Sequence, residues 1–548
     1  MAIVTLKNTV KMKRYKYITT LLIVMSMAFT WSCYEDKSSF DAKNIDGIVI
    51  DASSIDEVIR VGYLDQLQLS PGVSKGDNTD PGLFSYTWQI AYLPGPVYET
   101  IGEEKDLNAI ITKPIQAAPY TLIYTVTDDA TGLQKQYSWD LYVSSQFGEG
   151  IVVFDTRDGV SSDISLIMDN PISADYSKGR NITYNILETA TGSAYPSLAR
   201  NMTYSIAGSW FGNYTNIIMA VYENKDILMY DCKDYSVYKT SADLFPIKST
   251  TYNPQRFVNI NQAWGMVENN KFYAINSNQA TVSFLMPAAG HDGSEINVNN
   301  IDNEVLSLNH ELGLYGNAPK ALWYDNQRGK FFGFASMFSS PPIGPVTMGG
   351  DGFDPGNLPN RRAVAGGMSV NGNTHSMLLK NTLTDNYELY LMPYNYYNDN
   401  WDWIVGAPKS KLDLPAGLTP VLNSAVSIFF SPLEPIMYVA TSTNVYAVTY
   451  GGGIVAYSVK YTAPAGETIA KARMFIQGRY YMDASITNNG TQVPWNFKAV
   501  VIATQSSQYA GNVYVIPQIN HGSGDLDGAA ALRYTGFGKI LDIVIQGK

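Results

Sequence analysis

Cysteine is nearly absent from this chain of 548 residues; the two present are Cys33 and Cys232. That scarcity excludes a disulfide framework. Histidine is scarce too: His291, His310, His375 and His521 are scattered, with no HExxH and no close His–Cys spacing, so no zinc motif is written. No sialidase-type Asp-box and no quinone-cofactor signature occurs. Charge is sparse at 16%, and apolar residues reach 45%, which excludes a disordered acidic chain and allows a large core. The longest apolar stretch, Ile18 to Phe29, is twelve residues, too short to span a bilayer. What is plentiful is Tyr (39 against 20 Phe), Gly (45), Asn, Ser and Thr, the residues of strands and turns. An all-β chain is expected, and its length calls for two to four domains or a repeat array.

The first forty residues read as an address. Lys11 to Lys16 (KMKRYK) forms a basic n-region, Ile18 to Phe29 an apolar h-region, and Ser32-Cys33 a small residue before Cys. This resembles the lipobox of Bacteroidota lipoproteins, with Thr30 where Leu is commoner. The resemblance implies a signal peptide over 1–32, acylation of Cys33 and attachment by lipid alone. Glu35 and Asp36 behind the Cys resemble the export signal that sends such lipoproteins to the outer face of the outer membrane. The eleven residues before Met12 add nothing a signal needs, which leaves Met1 and Met12 both open as the start. With the signal removed, 33 basic residues face 49 acidic ones, a balance that gives no footprint for nucleic acid. Cys232 (MYDCKDYSVY) is then alone, and is expected as a buried structural thiol.

Beyond a tether over 33–45, two rhythms follow. From 46 to 145 short alternating strands recur: Phe84, Tyr86, Trp88 and Ile90 share one face, as do Tyr120, Leu122, Tyr124 and Val126. Asp128-Asp-Ala-Thr-Gly132 then turns the chain into a last strand, Gln136 to Val143. This spacing suits a β-sandwich of immunoglobulin type. From 146 to 548, apolar hairpins with Asn, Asp or Gly turns begin near Ile151, Ile217, Ala263, Ala321, Ser376, Ile436 and Ala499, about 58 residues apart on average. These seven units predict a seven-bladed β-propeller, with Ile540–Ile545 completing the first blade. Two tandem sandwiches are the competing arrangement.

The lipobox, CYEDK, the Trp and Tyr strands, EGIVVFDTRDG at 149–159, Gly511-Asn-Val-Tyr514 and Tyr534-Thr-Gly-Phe-Gly-Lys-Ile540 together resemble the PKD-like family of Bacteroidota surface lipoproteins. The family tends to be encoded beside SusC/SusD-type importers, so the resemblance implies importer partners and a place at the cell surface. It supplies no catalytic residues.

Asp351-Gly-Phe-Asp354 and Asp525-Leu-Asp527-Gly are the only stretches that suggest Ca²⁺, and neither supplies a full loop, so turn chemistry is preferred and no cofactor is expected. Gly451-Gly-Gly453 reads as a turn between two strands. The stretch richest in binding chemistry is Pro393 to Trp403, PYNYYNDNWDW, where Tyr394, Tyr396, Tyr397, Trp401 and Trp403 stand among Asn and Asp without the alternation of a buried strand. Trp210, with Phe211 and Tyr214, repeats the pattern on a smaller scale. Flat rings stack on sugars or peptide side chains; the same rings could equally pack between blades. The expected function is non-catalytic capture of glycan or peptide at an importer. The alternative is a surface glycoside hydrolase, lyase or peptidase on the same propeller.

Overall fold

The computed structural model describes residues 47–547, apart from 77–79, 81–82, 93–96, 117, 174–178, 208–214, 249, 261–262, 277–306, 309–320, 335–342, 349–351, 370–373, 398–402, 406–408 and 478–492. The fold is almost wholly strands and turns. No described helix is long and apolar enough to cross a membrane.

The first part is a β-sandwich. Strands Val58–Gly62, Gln134–Ser144, Tyr120–Asp128, Phe84–Tyr92 and Val97–Gly102 form one sheet in that order. Ile48–Asp51 pairs with Gly72–Lys75, and Gln66–Leu69 with Leu107–Ile110, in two ribbons. Alternation dictates the inner face: Phe84, Tyr86, Trp88 and Ile90 are buried, as are Tyr120, Leu122, Tyr124 and Val126 opposite. Trp88 stacks on Tyr124 at 4.2 Å and on Trp139 at 5.7 Å between centroids. At the turn, the Ala130 amide donates to the Asp128 carboxylate (3.0 Å), and Lys75 holds that carboxyl down at about 2.

From Gly150 onward the sheets repeat. Ala199–Ala207, Thr215–Tyr222, Ile227–Asp231 and Val237–Thr240 make one antiparallel sheet; Ser427–Phe430, Ile436–Ala440, Asn444–Thr449 and Ala456–Thr462 make another. Every hairpin read from the sequence is present, as a pair of adjacent strands inside a sheet. The last strand, Lys539–Gln546, pairs with the opening strand Gly150–Thr156 and completes a sheet with Asp163–Met168 and Asn181–Thr183. First strands of successive sheets touch: Lys539–Gln546 meets Ala199–Ala207, which meets Pro254–Ile260. Further round, Ser307–Leu308 meets Arg361–Ser369, then Ser427–Phe430, then Thr468–Met474, which returns to Lys539–Gln546. The array is therefore propeller-like, and its last strand completes its first sheet.

A recurrent device ties these inner strands. The ladder slips by one residue at Arg200, Gln255 and Ala470. Two residues beyond each bulge, an amide turns away from its own sheet to the preceding inner strand. Met202 N donates to Asp542 Oδ2 (2.7 Å), Phe257 N to Asn201 Oδ1 (3.1 Å) and Ala472 N to Ser427 Oγ (3.0 Å). All three acceptors are buried. Bulges redirect backbone groups in this way, and buried amides need such partners.

Sandwich and ring share a core. One cluster of buried apolar side chains runs from Trp88 and Tyr124 through Phe147 to Phe154, Tyr222 and Tyr235. The linking segment is itself anchored: Gln146 Nε2 donates to Tyr63 O and Ser145 Oγ to Lys233 O, each at 2.7 Å.

Candidate functional site

Cys33, Glu35, Asp36, Trp210 and Trp401 lie outside the described residues, as do Asp351, His291 and His310. Tyr394, Tyr396 and Tyr397 are placed by their backbone in a strand, although their stretch lacks strand alternation in the sequence. They end the strand Tyr387–Tyr397 and pair with Trp403–Val405, Tyr397 facing Trp403 and Tyr396 facing Ile404. Trp403–Val405 in turn runs parallel to Ile343–Met348 and joins two neighbouring sheets into one nine-stranded surface. The alternation missed in the sequence is hidden by a register shift between Tyr394 and Tyr396.

The other singled-out residues serve turns and packing. Asp525 binds Lys460 and Asn520 Nδ2, and the lysine holds its carboxyl down at about 2. Asp527 accepts the amides of Ala529 and Ala530, and Asp354 that of Gly356, as Asx turns do. Gly451–Gly453 is a single 3₁₀ turn. His375 is buried and His521 contacts Glu434. Among the described residues no three His, Cys, Asp or Glu side chains gather as metal ligands would.

The two motifs that opened and closed the array meet. Asp155 accepts the Gly538 amide, Arg157 donates to Gly536 O (2.7 Å), and Tyr184 donates to Thr535 O (2.6 Å). Tyr534 is buried, donates to Asp169 Oδ2 (3.2 Å) and lies under Arg180, whose guanidinium carbon is 4.7 Å from the ring centre. Arg180 also pairs with Asp169 (3.1 Å). These residues close the ring.

A cavity opens at the joint, with a volume of about 410 Å³. Its walls come from four places: the link Ser145–Glu149, Met168 and Ser173, the turn Asp231-Cys232-Lys233 with Thr215 and Asn216, and the end of the closing strand at Gln546. Cys232 is buried, as expected of a structural thiol, and burial pushes its thiol well up. Burial also raises the Asp231 carboxyl above its ordinary range. The frame is fixed by Tyr235 OH donating to Gln546 Oε1 (2.8 Å) and Gln546 Nε2 donating to Gly148 O (2.7 Å). The walls lie far apart in sequence, so spacing could not reveal it.

With this geometry in view, the model of the PKD-like family matches residues 33–197, which take in the sandwich, the opening strand and its two outer neighbours. The N-terminal part is thus PKD-like. No curated protein matches the chain. Among solved structures, a quinonprotein alcohol dehydrogenase-like protein from Bacteroides thetaiotaomicron is similar over 89% of this chain and 96% of its own, at 10% identity and a TM-score of 0.44. BamB from Moraxella catarrhalis is similar over 71% and 84%, at 8% identity and 0.32. AztD from Citrobacter koseri is similar over 84% and 98%, at 9% and 0.30. None of them lends this chain an activity.

Proposed function

We propose that the chain is a cell-surface lipoprotein, held in the outer membrane by acylated Cys33, that captures glycan or peptide without catalysis for a SusC/SusD-type importer. We infer seven blades for its ring, one for each hairpin unit of the sequence. The address rests on the order of basic, apolar and small-Cys segments over residues 11–33. Capture rests on one observation, the preformed cavity between sandwich and ring, whose volume of about 410 Å³ falls within the usual range for small-molecule sites. The buried carboxylates of the closure support a binding role, since Asp155, Asp169 and Asp542 are each engaged in holding strands together. Tyr394, Tyr396, Tyr397, Trp401, Trp403 and Trp210 are a second proposed contact surface.

The address is tested by acyl labelling: Cys33→Ala should abolish it, and normal labelling of that variant would remove the anchor. Protease added to intact cells should degrade the wild type and spare a variant with Glu35 and Asp36 both changed to Ala. Capture is tested with the purified mature lipoprotein on a glycan array and a peptide pool. Binding to neither would end that reading. Trp401→Ala and Trp403→Ala, each melted and then assayed, separate ring surface from ring packing.

A further inference from the structure

We propose that the joint cavity holds one neutral, hydroxyl-rich ring, a single sugar residue of a glycan. This rests on the capture reading and narrows it to one ligand class and one place. The polar groups on its walls are the ones that fit hydroxyls. Asp231 Oδ1 accepts the Lys233 amide (2.9 Å), and Asn216 Oδ1 accepts the Tyr204 hydroxyl (3.0 Å). Among the described residues, Asp231 Oδ2 takes no hydrogen bond and Asn216 Nδ2 gives none. A carboxylate oxygen and an amide donor among the lining residues are groups that two hydroxyls satisfy, one donating and one accepting. The Thr215 hydroxyl and the Lys233 ammonium, which donates to Ile115 O (3.2 Å), add polar contacts. Phe147, Met168 and Cys232 supply apolar wall for the C–H groups of a ring.

Other classes fit less well. Glu149 and Asp231 outnumber Lys233 on the walls, so a phosphate or carboxylate ligand meets net repulsion. An apolar ligand would bury Asp231 Oδ2 with no partner for that oxygen. A peptide that binds by strand addition needs a free strand edge, and these walls are turns and strand ends. The anchoring of Ser145, Gln146 and Gln546 means that little ordering is needed on binding.

The test uses the purified mature lipoprotein in detergent and titrates glucose, galactose, mannose and N-acetylglucosamine, with alanyl-alanine and inorganic phosphate alongside. At least one sugar should bind the wild type. Asp231→Asn, nearly isosteric, should weaken it about tenfold, the loss of one charge-assisted bond, with the melting temperature unchanged. Thr215→Trp, which fills the cavity, should abolish it. Three results would overturn the assignment: no sugar binds, a sugar binds both variants as it binds the wild type, or the dipeptide or phosphate is the ligand that the variants lose. Glycan binding that survives in Thr215→Trp would fail this site while leaving capture standing. Absence of all glycan and peptide binding would fail capture itself.

Discussion

Asp155 accepts a hydrogen bond from the backbone amide of Gly538, 383 residues further along the chain. Asp155 stands on the opening strand and Gly538 just before the closing one, so this contact joins the two ends of the ring. Asp155 Oδ1 is buried with no hydrogen-bond partner, and the Arg157 guanidinium lies 3.9 Å from the other oxygen. Burial lifts the carboxyl to about 6 from 3.8.

That shift fixes the sign of a pH dependence. Below pH 3.8 the carboxyl is protonated in both folded and unfolded chains, and its contribution to stability is fully present. As pH rises through 6 the folded state must either hold a proton that the unfolded chain has released or bury a charge, and the contribution is lost. The loss levels off at on the order of 3 kcal/mol. Asp155→Asn, which keeps an acceptor for Gly538, should match the wild type near pH 4 and exceed it at pH 7.5. Urea melts of both across that interval measure the difference, and a constant difference would contradict the assignment.

Gly538 makes a separate prediction. A Cβ there would lie 2.4 Å from Thr156 O and 2.8 Å from the Asp155 carboxylate, both held by the closure. Gly538→Ala should therefore lower the melting temperature markedly, as overpacking of this kind costs about 1–3 kcal/mol. Gly528, where a Cβ meets nothing within 4 Å, is the control, and Gly528→Ala should leave the melt unchanged.

The sequence made the middle of each sheet legible and left its rims obscure. The strand pair Thr215–Tyr222 and Ile227–Asp231 is buried on both faces, so it reads as two apolar runs around a polar turn. The inner strand Ala199–Ala207 (ARNMTYSIA) does not, because Asn201 and Ser205 sit buried to serve the neighbouring sheet: Asn201 takes the Phe257 amide, and Ser205 takes Trp264 Nε1 (3.1 Å). The bulge at Arg200 breaks its alternation as well. The strand that ends at Tyr397 is obscured in the same way, by a register shift between Tyr394 and Tyr396. The cavity was illegible because its walls meet only after the ring closes.

Those inner acceptors can be tested as a class. Asp542 takes the Met202 amide and also pairs with Lys471 at 2.6 Å, both side chains almost fully buried. Asp542→Ala leaves a buried ammonium without this carboxylate and should cost about 3–5 kcal/mol. The double variant Asp542→Leu with Lys471→Met should recover part of that loss, because the charge goes with its partner. Ser427→Ala removes a neutral acceptor from the Ala472 amide and should cost less, about 1–3 kcal/mol. Chemical denaturation of the variants gives the order; equal losses would mean that burial of charge plays no part.

Phe147 carries the last prediction. The sequence divides the chain after residue 145, and the structure runs one buried cluster through that joint. Phe147 packs edge-on against Tyr63 of the sandwich at 6.1 Å and Tyr235 of the ring at 5.1 Å, and is itself 8% exposed. Removing its ring leaves a void between two otherwise complete bodies, at a cost of about 3–5 kcal/mol. The full mature chain should melt in one calorimetric transition, and Phe147→Ala should split it into two, with the sandwich and ring melting independently. A fragment of residues 149–548 should still fold, since the ring closes through its own residues, but melt below the full chain because Tyr235 loses its cover. A full chain that already melts in two steps, unchanged by Phe147→Ala, would show that the shared cluster does not couple them. The joint would then be a hinge rather than a seam.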